Sequence, residues 1–98
     1  MEIQYKNTKL RKICTNADIA RKKYGERMAR KIHQRIDELS AADTVEEMIQ
    51  FHIGRCHRLV GDREGQYALD LEQGNRLVFT IHNHVIQIAY IEEIVDYH

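Results

Sequence analysis

Proline and tryptophan are absent from this 98-residue chain, and its cysteines number only two, its glycines five and its Phe and Tyr residues seven. Two cysteines make no disulfide framework, so Cys14 and Cys56 are expected to be reduced thiols in a cytoplasmic protein. So little glycine and no proline argue against disorder, collagen-like repetition and a multidomain layout. Long apolar runs are missing too. Stretches such as Leu77-Val78-Phe79 fall far short of the ~20 residues a membrane-spanning helix needs, and no membrane partner is expected. The opening Met1-Glu2-Ile3-Gln4-Tyr5 alternates in polarity, unlike a basic-then-apolar export signal. What remains is 43% hydrophobic and 31% charged, the balance of one globular domain over residues 1–98. A chain of this size buries roughly 65% of its unfolded surface, enough for one modest core.

Net charge is zero, but it is unevenly distributed. Residues 1–40 carry eleven Lys and Arg against five Asp and Glu, and residues 41–98 carry four against ten. A nucleic-acid surface requires clustered cations, because neutralising phosphates releases counterions. Only the first half can supply a large basic patch. From charge alone the simpler account of the split is a solvated helix face balanced by an acidic sheet.

Alternation over Glu2-Ile3-Gln4-Tyr5 predicts a short strand. Asn7 or Thr8 can cap a brief helix to about Cys14, and Thr15-Asn16-Ala17-Asp18 offers a second helix start. Ala20, Tyr24, Met28, Ile32 and Ile36 then recur at four-residue spacing, predicting an amphipathic helix to about Leu39. Gly25 inside it marks a kink or a break, since glycine costs about 1 kcal/mol there relative to alanine. Thr44-Val45-Glu46-Glu47 has the form of a capping box opening a short helix to about Phe51. Beyond it the period becomes two. Strands are expected at Cys56–Val60, Gln66–Leu71, Leu77–Ile81 and Val85–Ile94, joined by short polar turns as antiparallel hairpins. The expected class is α+β, with N-terminal helices packed on one face of a small antiparallel sheet.

Six histidines raise the question of a metal, yet only His82 and His84 have a spacing that puts two imidazoles on one strand face, and two make a weak site. No metal or other cofactor is expected. Nucleophilic catalysis fares no better. Cys14 falls on the apolar side of a helix, and Cys56 and His57, adjacent on a strand, face opposite ways. The residues that stand out are Arg55, Arg58, Arg63 and Arg76, the only Lys or Arg after residue 40, together with the terminal Asp96-Tyr97-His98. Cleaving a phosphodiester without a metal takes a proton acceptor for the 2′-hydroxyl, a proton donor for the leaving oxygen, and cations for charge developing on phosphorus. Histidine, tyrosine and arginine are suited to those tasks, although terminal residues are often frayed and idle.

Three segments, Gly61-Asp62-Arg63-Glu64-Gly65-Gln66-Tyr67, Asn75-Arg76-Leu77-Val78-Phe79 and Ile91-Glu92-Glu93-Ile94-Val95-Asp96-Tyr97-His98, resemble the RelE/ParE toxin superfamily. Within it they are most similar to the HigB-like plasmid-maintenance killer proteins. Lys22-Lys23-Tyr24-Gly25-Glu26 before a basic helix extends the likeness over nearly the whole chain. The resemblance implies two or three helices on a small antiparallel sheet, and a type II toxin held in check by a cognate antitoxin, expected to be a helix-turn-helix DNA-binding protein. It implies ribosome-dependent, metal-independent cleavage of messenger RNA, with the ribosome and mRNA as partners and translation as the process inhibited. By position, Arg76 is the phosphate-stabilising arginine. His98 and Tyr97 form the terminal pair, the histidine acting as acid or base, and Asp96 orients them. Arg58 and Arg63 are the remaining substrate-binding cations. The alternative within the same fold is a protein that acts by binding alone, poisoning gyrase or serving only as an antitoxin's partner.

One departure bears on chemistry. Where the family turn reads Leu-Lys-Gly-Asp-Arg, this chain reads Leu59-Val60-Gly61-Asp62-Arg63, and the lysine is replaced by valine. Losing a cation that stabilises a transition state slows a reaction roughly a hundredfold or more. Arg58, two residues earlier, is the substitute that strand alternation suggests.

Overall fold

The computed structural model describes residues 1–83 and 85–96. Its elements run β1 (Glu2–Tyr5), α1 (Thr8–Thr15), α2 (Ala17–Tyr24), α3 (Glu26–Ala41), α4 (Val45–Gln50), β2 (His57–Arg58), β3 (Gln66–Asp70), β4 (Asn75–His82) and β5 (Ile88–Asp96). Short 3-10 turns at Ile53–Arg55 and Gly61–Arg63 bracket β2. This is the expected α+β arrangement, with four helices against one sheet.

Helix starts follow local chemistry. The Asn7 side chain accepts from the backbone N–H of Leu10 at 2.8 Å, Asn16 from Asp18 and Ile19, and the Thr44 hydroxyl from Glu47 at 3.2 Å. Each satisfies amide hydrogens that a helix N-terminus leaves without partners. The long periodic segment is two helices. Gly25 ends α2 and opens α3 at φ 87°, ψ 171°, a conformation essentially reserved for glycine. A Cβ there would meet nothing within 4 Å, so the constraint is purely torsional. Gly25→Ala is therefore expected to lower stability by about 1–3 kcal/mol, read as a fall in the denaturant midpoint at unchanged m-value.

Strand order is β1-β5-β4-β3-β2. The meander β2 to β5 is antiparallel, as hairpin-length turns dictate. The sheet as a whole is mixed, because β1 joins the free edge of β5 in parallel, with Glu2 to Tyr5 opposite Ile88 to Ile91. No turn connects those two strands, so nothing forces an antiparallel return. The N-terminal ammonium secures β1 by donating to the carbonyls of Ser40 at 2.8 Å and Ala42 at 2.5 Å, at the C-terminal end of α3.

The core lies between helices and sheet. Ile32, Leu39, Val45 and Met48 from the helical layer meet Leu69, Leu77, Phe79 and Ile91 from the strands, all fully buried. Each such side chain contributes about 1.5–3 kcal/mol of burial. Among the described residues no helix is long and apolar enough to cross a membrane.

Two strands depart most from their predicted bounds. β2 stops at Arg58 because the chain turns at Gly61, φ 69°. β5 begins at Ile88, leaving Val85 and Ile86 exposed in the β4–β5 turn.

Candidate functional site

Register divides the sheet into two faces. Tyr67, Leu69, Leu77, Phe79, Ala89 and Ile91 face the helices. Strand alternation puts Gln66, Ala68 and Asp70 of β3, and Arg76, Val78 and Thr80 of β4, on the opposite face. On β5 the pattern is interrupted. Val78 pairs with Glu93 and Phe79 with Ile91, so Glu92 is an extra residue in a β-bulge. The bulge returns Ile94 to the core side and turns Glu93 and Val95 outward, beside Val78 and Arg76. A polar outer surface results, although its centre, Ala68 and Val78, is fully buried.

Arg76 stands in this surface between Asp70 of β3 and Val95 of β5. Its Nε lies 3.6 Å from Asp70 Oδ1. The other oxygen of that carboxylate accepts from Arg55 Nε at 2.6 Å, and the backbone carbonyl of Asp70 accepts from Arg35 Nε of α3 at 2.7 Å. Three arginines thus converge on one residue.

Arg63 lies across the same face. Its Nη1 donates to Glu93 on β5 at 2.5 Å and to Gln66 on β3 at 3.2 Å, and so bridges over β4. Arg58 goes elsewhere. It pairs in register with Tyr67, and its guanidinium sits over the Tyr67 ring at 5.6 Å, while that ring stacks on Phe79 at 5.6 Å. Arg58 is therefore on the helix-side parity, at the sheet edge, and not beside Arg76. Two residues of β2 are too few to carry the alternation on to Val60, which is 85% exposed.

Asp96 ends β5 opposite Asn75, one register step from the Arg76–Val95 pair. Tyr97 and His98 lie outside the described residues, as does His84. Asp96, at the Arg76 end of the sheet, is followed in sequence by Tyr97 and His98.

His57 is the residue that sequence reasoning passed over. It stands in register with Ala68, and through Ala68 with Val78 and Glu93, which places it on the outer face. Its Nδ1 is 2.8 Å from the Arg55 carbonyl. A carbonyl only accepts, so in the neutral ring Nδ1 carries the hydrogen and Nε2 keeps a lone pair, the form of a proton acceptor. The signal in the sequence was alternation itself: Cys56 inward implied His57 outward. A further imidazole, His82, meets the Tyr90 ring edge-on at 5.4 Å and the Thr80 hydroxyl at 3.0 Å.

Neither cysteine belongs to this surface. Both are buried, and burial pushes each thiol up to about 12 from its ordinary 9.0. A group whose folded pKa is raised contributes stability below the unfolded pKa and loses it as pH rises through the folded value, so the window here is about pH 9 to 12. Alkylation of native protein at pH 8 is expected to be slower than in denaturant by at least tenfold, as measured by mass spectrometry. Equal rates would show these thiols to be accessible.

No protein-family model matches the sequence, and no curated protein matches it either. Among solved structures, a YoeB/ParE toxin from Agrobacterium tumefaciens superposes over the full length of both chains with a TM-score of 0.68, at 14% sequence identity. The chain therefore shares the fold of that protein, and the likeness is one of architecture.

Proposed function

We propose that this protein is the toxin of a type II toxin–antitoxin pair, a HigB-like, ribosome-dependent endoribonuclease that cleaves messenger RNA without a metal. The observation that carries the reading is Arg76, held between β3 and β5 at one end of the outer sheet face, with Asp96 one register step away and Tyr97-His98 next in sequence. The toxin-type fold supports the same reading.

The chemistry runs as follows. A base takes the proton of a ribose 2′-hydroxyl, and the 2′-oxygen attacks the adjacent phosphorus. The P–O5′ bond breaks as an acid protonates the leaving oxygen, giving a 2′,3′-cyclic phosphate and a 5′-hydroxyl end. Arg76 stabilises the negative charge that builds on the non-bridging oxygens, with a planar fork that matches two of them. His98 transfers a proton, with Tyr97 beside it and Asp96 orienting the pair. His57 supplies a second imidazole on the same face, so acid and base need not be one group. Partners on this reading are the ribosome, mRNA and an antitoxin that covers the arginine-bearing face or the basic helices.

The binding-only alternative draws on the neutral sequence pI of 7.0 and on Arg63, whose charge is engaged by Glu93. Induction of the protein alone separates the two readings. The enzyme arrests growth and leaves translated messages cut, with 5′-hydroxyl ends. Arrest with broken DNA and intact messages would identify a gyrase poison and overturn the proposal, as would growth without arrest.

A further inference from the structure

The resemblance leaves a gap, because the turn lysine is Val60 and the nominal substitute, Arg58, is stacked on Tyr67 at the other face. Arg63 is held by Glu93 and Gln66. A different arginine has been brought to Arg76 by a costly piece of backbone. In the turn between α4 and β2, His52, Gly54 and Arg55 all have left-handed φ, at 55°, 59° and 53°. Two of the three carry a Cβ, and such conformations persist only where the surroundings over-determine them.

The surroundings here are specific. A Cβ on Gly54 would lie 2.8 Å from Arg35 Nε and 3.0 Å from a Leu69 methyl, so only glycine lets the turn close against α3 and β3. Arg35, only 13% exposed in its side chain, is fixed by Glu38 Oε1 and the Asp70 carbonyl, both at 2.7 Å. The interlock delivers the Arg55 guanidinium to Asp70 Oδ2 at 2.6 Å, while Asp70 Oδ1 is buried without a hydrogen bond among the described residues, 3.6 Å from Arg76 Nε. Arg55 nonetheless keeps 69% of its side chain in solvent. A purely structural ion pair has no need of a strained turn to hold one partner mostly in water, where such pairs contribute little. A cation held at a fixed position but open to solvent suits an incoming anion.

We infer that Arg55 is the second phosphate-binding cation of the site, supplying the charge missing at Val60, and that Asp70 is the positioning residue that holds it beside Arg76. The inference rests on the ribonuclease reading, with an RNA phosphodiester as the anion. Its test uses a readout that does not depend on cleavage: binding of a single-stranded 2′-O-methyl oligoribonucleotide, which lacks the attacking hydroxyl, across a salt series. Each phosphate contact on a single strand contributes about 0.7 to the slope of log K against log salt. Arg55→Ala is expected to flatten that slope by about 0.7, and Arg55→Lys, which keeps the charge, to restore it. Asp70→Asn leaves the slope unchanged but lowers kcat on ribosome-bound message by about tenfold with little change in KM, since the cation remains and only its placement is lost. Thermal melts confirm that each variant is folded at the assay temperature.

A flattened slope in Arg55→Ala together with no cleavage by the wild-type protein would keep the phosphate site and overturn the ribonuclease reading. Cleavage by the wild type, with slope and rate unaltered in Arg55→Ala, would keep that reading and overturn the role of Arg55. Failure of the wild type to bind the oligonucleotide at any salt would overturn it as well.

Discussion

Replacing Arg76 with alanine is expected to slow cleavage of ribosome-bound message by about 10²- to 10³-fold, the usual loss when one preorganised donor to a developing oxyanion is removed. The argument is geometric. Arg76 lies between β3 and β5 in a well-paired central strand, so its guanidinium begins from a rigid base. Asp70 limits its swing from one side. Arg76→Lys should recover only part of the rate, because an ammonium cannot span two phosphate oxygens as a guanidinium does. Removing Arg76 also takes away the cation facing the buried Asp70 Oδ1 and leaves Arg55 alone to balance that carboxylate, so a stability cost of about 1–3 kcal/mol should accompany the loss of rate. Rates are therefore compared at a temperature where both proteins are folded. A variant that cleaves as fast as the parent would remove Arg76 from the chemistry.

His98→Ala is expected to reduce cleavage by about 10²- to 10⁴-fold, the range for loss of a general acid or base. Folding should hardly change. Among the described residues Ile94 is the last strand side chain packed against the core, and His98 is four positions further along the sequence. The effect should also depend on pH, since an imidazole changes charge near neutrality and its loss removes one limb of the pH–rate profile. His57→Ala serves as the comparison. If the two imidazoles divide the acid and base roles, each substitution removes a different limb. A profile unchanged by His98→Ala would leave the terminal histidine with no part in proton transfer.

Much of this architecture is legible in the sequence because it is set locally. Asn7, Asn16 and Thr44 cap the helices that follow them, as residues with short side-chain acceptors do. Gly25 interrupts a long apolar stripe at a torsion other residues avoid. The meander follows from turns too short for any other connection. What escapes a reading along the chain depends on partners far away in it. The parallel seat of β1 beside β5 joins residues 86 positions apart, from Glu2 to Ile88. The bulge at Glu92 has no marker of its own, yet it brings Glu93 onto the face of Arg76, where Glu92 already accepts from the Thr80 hydroxyl at 3.2 Å.

The candidate site divides along the same line. Arg76 and Arg63, both singled out in the sequence as cations beside strands, stand on one outer face of the sheet. Arg58 does not, because β2 is in register with Tyr67, and register is a property of the pair of strands. The convergence of Arg35, Arg55 and Arg76 on Asp70 combines α3, a left-handed turn and two strands, and no spacing in the sequence announces it.

The central claim is that this polar sheet face cuts RNA. Its most direct test is single-turnover incubation of the purified protein with ribosomes stalled on a defined message, with the 5′ ends of the fragments mapped. The account predicts cleavage within the ribosome-bound codon, unaffected by a chelator, that leaves 5′-hydroxyl ends and is lost in parallel with Arg76→Ala and His98→Ala. Message that remains intact on the ribosome in the presence of folded wild-type protein would contradict it.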